Sequence, residues 1–168
     1  MKNPDWLGEP FANKDNKIFL TKKVAKRLLA EAQEAFPYEY SALLAGRGAT
    51  ITTCVPMPVS SDKHVFAWDG TAFLQALQHI RKHKLQWLGV LHTHPHTPPI
   101  PSARDIAGWH YPMLSYWIVG LATEQPEWRV YQWVQDEHHC SFEARDYTLT
   151  EAAGDDAATN CSSAPKNS

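Results

Sequence analysis

The apolar residues of this chain recur at two different spacings, and each spacing predicts a different backbone element. Within residues 22–36, Val24 and Leu28 belong to an apolar series of roughly helical period that charged side chains interrupt. This pattern predicts an amphipathic helix. Thr21 stands at the N-cap position of this helix, and Pro37 ends it.

Shorter apolar segments predict strands. Residues 86–94 form a nearly continuous apolar run before a proline-rich loop, which is typical of a buried strand. Residues 129–134 alternate like a half-exposed strand. Two further helical patterns lie at residues 71–84 and 102–109. The alternating residues belong to a strand predicted at residues 128–134, and the remaining predicted strands are residues 17–20, 39–46, 50–55, 115–121 and 139–142.

These elements predict a single α/β domain in which helices flank a mixed β-sheet. The chain has 168 residues, of which 43% are hydrophobic, and this suffices for one core. The domain is predicted at residues 17–147, after an N-terminal arm (residues 1–16) that is extended or loosely docked. Residues 148–168 contain almost no large apolar side chain and are predicted to form a disordered tail.

Charge and hydropathy exclude several classes of function. Sixteen basic and eighteen acidic residues give a net charge of -2, without the basic excess of a nucleic-acid-binding protein. No apolar run is long enough to cross a membrane, and the first residues do not resemble a secretory signal. Three cysteines without a CxxC pair argue against a disulfide framework. A cytoplasmic protein is therefore expected.

The candidate chemistry lies in residues 91–105, which read LHTHPHTPPIPSARD. His92 and His94 are separated by one residue on a predicted strand, so their imidazoles project from the same face. Two imidazoles on one face are a natural pair of zinc ligands. Such a pair taken alone is more often two unrelated histidines, so the prediction depends on the residues that follow.

The loop after the histidines favours a third ligand. Four of its seven residues, 95–101, are prolines, which leaves the loop few conformations to lose on folding. It leads to Ser102 and Asp105 at the start of the predicted helix. A serine and an acid at this spacing more often cap a helix, and Ser102 is expected to do this as well. Two histidines and one aspartate would leave the fourth position of a tetrahedral zinc site to water.

The joined motif is similar to the signature of a known enzyme family. Residues 92–95 and 102–105 together have the form HxHPx6SxxD, which resembles the signature of the JAMM (MPN+, Mov34/JAB) metallopeptidases. The segment PYEYSALLAG at residues 37–46 resembles the PxExxGLLxG segment of that family, with Ala42 in place of the usual glycine. The resemblance covers residues 18–134 and implies the cytidine-deaminase-like architecture of JAB/MPN domains.

The resemblance also implies a chemical role for five side chains. His92, His94 and Asp105 would bind Zn²⁺. Glu39 would act as general base and then general acid, and Ser102 would stabilise the developing oxyanion. By its position alone, Glu39 would be interpreted as a solvated residue near the start of a strand. The substrate in this family is often a ubiquitin-like or sulfur-carrier protein, cut after its C-terminal Gly-Gly.

Two other functions compete with this hypothesis. A non-catalytic MPN-type binding module that retains a metal site is one alternative, because many relatives of the family have lost the metal. A zinc deaminase is the other, but its H-x-E and P-C-x-x-C motifs are absent from the sequence. His96 is interpreted as a solvent-exposed loop histidine rather than a spare ligand or a substrate contact. The run at residues 138–140 resembles a fragment of a metal cluster but lacks a partner motif, so a second metal is not predicted there. Trp109, one helical turn beyond Asp105, is expected to line the cleft.

Overall fold

A computed structural model describes residues 2–59 and 68–151 of the chain. The elements occur in the predicted order, with one additional strand at the end of the described residues. In chain order they are β1 (Ile18–Thr21), α1 (Lys22–Ala35), β2 (Ser41–Arg47), β3 (Thr50–Pro56), α2 (Gly70–Lys82), β4 (Gln86–His94), α3 (Ala103–Gly108), β5 (Ser115–Gly120), β6 (Glu127–Gln135), β7 (Cys140–Arg145) and β8 (Tyr147–Thr150).

The strands form one eight-stranded mixed sheet in the order β7-β6-β5-β4-β2-β3-β1-β8. The pairs β4–β5, β1–β3 and β1–β8 are parallel, and the other neighbouring pairs are antiparallel. β7 and β8 lie at opposite edges of the sheet, although Asp146 alone separates them in the chain. The sheet must therefore curl until its two edges approach each other. The predicted fold class, a mixed β-sheet flanked by helices, is confirmed.

The two longer helices cover opposite faces of this sheet. Neighbouring residues of a strand point to opposite faces, and on β2 Leu44 packs in the α1 cluster whereas Leu43 packs in the α2 cluster. Leu28 is a fully buried residue of α1. The Thr21 hydroxyl accepts a hydrogen bond from the backbone N–H of Val24, 3.3 Å away, and caps α1 as predicted.

The second helix differs from its predicted bounds because of the backbone at its end. It begins at Gly70, after the capping residue Asp69, and ends at Lys82 rather than at residue 84. Lys84 has a φ of 56°, a left-handed conformation that cannot continue a right-handed helix. β4 then follows with the predicted bounds. None of the helices in the described ranges is long and apolar enough to span a membrane.

The N-terminal arm is docked more firmly than the sequence predicted. The Trp87 N–H donates to the Trp6 carbonyl at 2.7 Å, and the Gly8 N–H donates to the Trp87 carbonyl at 2.9 Å. Phe11 is only 5% exposed and belongs to the core on the α1 side. Trp6, Leu7 and Phe11 thus give a mostly polar segment enough apolar area to pack against the domain.

The predicted disordered tail begins too early. Residues 148–150 belong to β8, which pairs in parallel with β1 from Ile18 opposite Tyr147 to Thr21 opposite Thr150. This pairing satisfies the backbone of a segment that has few apolar side chains of its own. The remainder of the predicted tail, residues 152–168, lies outside the described residues.

Candidate metal centre

The two histidines lie at the end of β4, a central strand that is paired on both sides. His92 is opposite Ser41 of β2 and Ile118 of β5, and His94 is opposite Gly120. The histidines are 1% and 8% exposed, and their Nε2 atoms lie 3.1 Å apart. Neighbouring strands therefore fix both imidazoles on the same face of the sheet, as the one-residue spacing predicted.

The proline-rich loop packs closely against the sheet and returns the chain to the histidines. The Tyr131 hydroxyl donates to the Pro99 carbonyl, and the His94 Nδ1 atom lies 2.9 Å from the Pro98 carbonyl oxygen. A Cβ atom added to Gly120 would lie 2.8 Å from the Pro99 ring, so the loop needs glycine at this point of β5. These contacts set where the next helix begins.

Asp105 lies in the first turn of α3 and faces both histidines. Its Oδ1 atom is 3.2 Å from Nε2 of His92, and its Oδ2 atom is 3.2 Å from Nε2 of His94. The Ser102 N–H donates to Oδ2 at 2.8 Å, and the Asp105 N–H donates to the Ser102 hydroxyl oxygen at 3.1 Å. This reciprocal capping box orients the carboxylate toward the imidazoles.

The spacing of the three ligand atoms fits a tetrahedral metal ion. The Nε2 atoms of His92 and His94 and the Asp105 carboxylate oxygens are separated by 3.1–3.2 Å. Zinc bonds of roughly 2.0–2.1 Å at the tetrahedral angle place neighbouring ligand atoms about 3.3 Å apart. Among the described residues, these three side chains form the one cluster of three or more potential ligands.

The hydrogen bond at Nδ1, the second ring nitrogen of His94, determines that Nε2 is the nitrogen able to bind a metal ion. The Pro98 carbonyl can only accept, so Nδ1 of His94 carries the proton. In the neutral ring, Nε2 then presents a lone pair toward the Asp105 carboxylate, which is also an acceptor. Two acceptors at this distance need a cation between them, either a proton or a metal ion. The Pro98 carbonyl thus sets the tautomer that a metal ligand requires.

The electrostatics of the cluster also favour a cation. Burial alone would lower the pKa of His94, but the hydrogen bonds to Asp105 and to the Pro98 carbonyl raise it, as do the charges of Asp105 and Glu39. Burial would raise the pKa of Asp105, but hydrogen bonds from His92 and His94 hold it well below its usual range. The carboxylate therefore stays ionised and negative throughout the physiological range.

Glu39 lies beside the metal centre because the β2–β4 ladder continues beyond the end of β2. The Tyr40 N–H donates to the Thr93 hydroxyl at 2.9 Å, and the Thr93 N–H donates to the Tyr40 carbonyl at 2.9 Å. Ser41 is opposite His92, so Glu39, two residues earlier, reaches the level of His94. Its half-buried carboxylate raises the pKa of His94.

Ala42, which replaces the usual glycine of the family segment, points away from the ligands. It is fully buried in the cluster on the α1 side, whereas Ser41 and His92 lie on the other face of their strands. Its methyl group is accommodated in the core opposite Leu91 and Pro56.

Ser102 caps α3, as predicted, and this capping is compatible with its expected role as an oxyanion donor. Its oxygen accepts the Asp105 N–H and so caps α3, while its own hydroxyl proton remains available to a further acceptor. The residue is exposed beside the ligand cluster. Capping therefore does not prevent it from donating a hydrogen bond to a substrate.

Tyr116 and Thr93 contribute to the site and were not predicted from the sequence. Tyr116 of β5 is buried, with its ring 5.2 Å from that of His92. Burial, followed by the negative charge of Asp105 and a hydrogen bond to it, raises the pKa of Tyr116 above its ordinary value. Thr93 lies between the two histidines in the sequence, so its location near the site could have been predicted. Its role could not, because it depends on a hydrogen bond from Tyr40, which is 53 residues away in the chain.

The other predicted residues lie where the sequence analysis placed them. His96 is exposed and contacts Phe36, with ring centroids 5.3 Å apart, so it is outside the ligand cluster. Residues 138–140 are likewise exposed. Trp109 lines a pocket of about 320 Å³ that Asp105 also lines, as expected for a wall of the cleft.

The chain is similar to a known protein family and to a named bacterial protein. Residues 21–134 match the family of prokaryotic homologs of the JAB domain. A Thermus thermophilus protein named "Probable TtuB-protein conjugate cleaving protease" is 32% identical over 106 residues, which cover 61% of this chain and 68% of that protein.

Solved structures show the same fold. The solution structure of a Desulfitobacterium hafniense protein has a TM-score of 0.70 and 32% identity, covering 80% of this chain and 93% of that one. A JAB1/MPN domain protein from Archaeoglobus fulgidus has a TM-score of 0.55 at 18% identity, covering 80% and 98% of the two chains. The family resemblance read from the two motifs is confirmed, and the chain belongs to the prokaryotic JAB-domain family.

Proposed function

We propose that this protein is a zinc-dependent metallopeptidase that hydrolyses peptide or isopeptide bonds. The observation that carries the proposal is the convergence of His92, His94 and Asp105 within 3.2 Å of one another, with Glu39 beside them. The proposed substrate is a ubiquitin-like or sulfur-carrier protein, cut after its C-terminal Gly-Gly. The name of the Thermus thermophilus relative, a protease that cleaves conjugates of TtuB, supports this substrate class.

His92, His94 and Asp105 are the residues that would hold the metal. A zinc ion bound there would supply a Lewis acid and would lower the pKa of a coordinated water to about 7. Three protein ligands would leave one position of a tetrahedral zinc ion to water. The Pro98 carbonyl keeps His94 in the tautomer whose Nε2 lone pair faces the ligand cluster.

Glu39 is the proposed general base. Its carboxylate lies at the level of His94 because the Tyr40–Thr93 hydrogen bonds extend the ladder past β2. From there it can accept a proton from the attacking water and transfer it to the leaving amine, which must depart as a neutral or protonated amine. Its partial exposure keeps it in reach of both water and substrate.

Ser102 is the proposed oxyanion donor. Negative charge develops on the carbonyl oxygen as water attacks, and a hydroxyl that already has a fixed position stabilises this charge at little cost in reorganisation. The capping bond from the Asp105 N–H holds the Ser102 oxygen in place and leaves its proton free to donate.

The test is cleavage of a ubiquitin-like or sulfur-carrier fusion that extends beyond Gly-Gly. Glu39→Gln keeps the shape of the side chain and removes the base, so kcat should fall by about 10²–10⁴-fold while the zinc content stays the same. Glu34→Gln changes an exposed glutamate on α1 and serves as the matched control, with unchanged activity expected.

Two outcomes would contradict the proposal in different ways. Equal cleavage by wild type and Glu39→Gln would refute the role of Glu39. Stoichiometric zinc without cleavage of any fusion would instead favour the alternative function, a non-catalytic MPN-type module that retains its metal.

A further inference from the structure

A pocket of about 320 Å³ adjoins the metal centre on the face of the sheet that α2 and α3 cover. Asp105 and Tyr116 belong to both the metal centre and the wall of this pocket. The remaining wall is mainly aromatic. We call it the aromatic pocket and define it by Trp68, Phe73, Trp109, Tyr111 and Tyr116.

The aromatic rings pack against one another and form a preformed wall. Trp109 lies 4.6 Å from Tyr116 between ring centroids, and Phe73 lies 5.5 Å from Trp68 and 6.3 Å from Tyr111. Trp68, Phe73, Trp109 and Tyr111 are nevertheless only partly buried. A ligand that covered their remaining apolar area would gain from removing it from water.

The size of the pocket limits its occupant. Small-molecule and cofactor sites range from about 300 to 1,000 Å³, so a pocket of about 320 Å³ lies at the lower end of this range. An occupant of the size of one large side chain fits it better than a larger ligand does. Arg104 and Asp105, both lining residues, carry opposite charges that offset each other, and a divalent cation at the metal centre would leave a net positive charge beside the pocket. A basic side chain is therefore disfavoured, and a large apolar one is favoured.

We propose that the aromatic pocket binds a large apolar side chain of the substrate on the leaving-group side of the cleaved bond. This inference rests on the proposed peptidase function. The two glycines before the cleaved bond have no side chains that could fill a pocket bordering Asp105. The residue after the bond, or one next to an acceptor lysine, is then the nearest side chain that can occupy it.

Two glycine residues of the protein itself are positions where a larger side chain could fill the pocket without displacing its wall. Gly108 and Gly70 both line the pocket, and a Cβ atom added at either meets no atom within 4 Å. Gly108→Leu should therefore occupy part of the pocket, and Gly70→Leu provides a second, independent blocking variant. Ala107→Leu changes an exposed neighbour on α3 that does not line the pocket, and is the matched control.

The first experiment compares internally quenched peptides that carry Gly-Gly before the bond and Gly, Leu, Phe or Lys after it. Zinc-loaded wild type should cleave the Leu and Phe peptides with a kcat/KM at least about tenfold above that of the Gly peptide. Gly108→Leu and Gly70→Leu should lose this preference, so that each cleaves the Leu, Phe and Gly peptides with a similar kcat/KM, and Ala107→Leu should retain the preference. Cleavage without preference, a preference for Lys, or a preference that both blocking variants keep would overturn the inference.

A binding measurement separates this inference from the proposed function. Trp68 and Trp109 line the pocket, so their fluorescence should respond when a reduced-amide Gly-Gly-Phe peptide binds. The Phe peptide should bind at least about tenfold more tightly than its Gly counterpart, and Gly108→Leu should abolish the difference. If no peptide is cleaved but this binding preference is found, the peptidase proposal fails and the aromatic pocket stands. Equal binding of both peptides overturns the pocket.

Discussion

At the level of single residues, competition between protons and a metal ion at His94 would control metal binding at the proposed centre. The Nε2 atom of His94 can hold a proton shared with Asp105 or a metal ion, but not both. Burial lowers the pKa of His94, but the hydrogen bonds to Asp105 and to the Pro98 carbonyl, with the charges of Asp105 and Glu39, raise it above 6.5. The same interactions that suit a metal therefore also favour its competitor, the proton.

This competition predicts a pH-dependent zinc affinity. Protonated His94 cannot ligate, so affinity should rise as the pH increases through the pKa of His94 and level off above it. The midpoint should lie above 6.5, the ordinary pKa of histidine, because the pKa of His94 is raised. Competition titrations against a chelator between about pH 6 and 9 measure this midpoint directly.

Two variants separate the causes of this pH dependence. Glu39→Gln removes one of the charges that raise the pKa of His94, so the midpoint should move to lower pH. Asp105→Asn should lower zinc affinity across the whole range, by more than the roughly 10–100-fold that the loss of an outer-shell partner costs. Asp15→Asn, at an exposed position, is the control. A midpoint below 6.5 in the wild type would contradict the assigned electrostatics.

At the level of elements, the ladder between β2 and β4 links the proposed metal ligands to the proposed base. Thr93 lies between His92 and His94, and its hydroxyl accepts the N–H of Tyr40, the residue after Glu39. Thr93 is fully buried, so water does not compete for this hydrogen bond in the folded state. The strand that carries two ligands thereby also fixes the backbone next to Glu39.

Thr93→Val should therefore impair catalysis without removing the metal. Valine preserves the shape of the side chain but leaves the buried Tyr40 N–H without an acceptor, which costs about 1–3 kcal/mol. We expect zinc content to be unchanged, the melting temperature to fall, and kcat to fall about tenfold as Glu39 loses its fixed position. Thr93→Ser keeps the hydroxyl and should restore kcat. Equal kcat for both variants would show that this bond does not position Glu39.

Elements defined by local signals were predictable, and those that depend on distant pairing were not. The apolar run of β4 ends where the proline-rich loop begins, so its bounds could be predicted. β8 depends on parallel pairing with β1, which is more than 120 residues away in the chain, so no local pattern predicts this strand. The firm docking of the arm has the same origin, because Trp6 bonds to Trp87 of β4.

In the candidate site, too, local features could be predicted and features that depend on tertiary packing could not. The spacing of the motif predicted that His92, His94 and Asp105 would converge, because a strand period and a stiff loop are local properties. The carbonyl of Pro98 and the ring of Tyr116 reach the site through tertiary packing, which spacing does not reveal.

At the level of the whole molecule, a metal ion at this centre would add a direct link between β4 and α3. The proposed ligands lie on β4, at the middle of the sheet, and on α3, a helix of six residues. So short a helix is marginal on its own. A ligand that binds only the native state stabilises the fold as a whole, by an amount that depends on its free concentration.

Cys54 reports on this global stability from the opposite face of the sheet. It is 3% exposed in the cluster that packs with α1, and burial raises the pKa of its thiol to about 11. The reactive thiolate is therefore scarce near pH 8, and alkylation of Cys54 should require unfolding. Cys140, at the exposed edge strand β7, should react without unfolding.

Zinc should accordingly slow the alkylation of Cys54 but not that of Cys140. At a free zinc concentration of about 100 times the Kd, the native state gains about 2.7 kcal/mol, which corresponds to a roughly 100-fold lower labelling rate. Iodoacetamide labelling followed by peptide mass spectrometry measures each cysteine separately, and Asp105→Asn should remove the protection. If zinc binds stoichiometrically and Cys54 still labels equally fast with and without it, the thiol becomes reactive through a local opening that leaves the metal centre intact. That result would contradict the expectation that alkylation of Cys54 requires global unfolding.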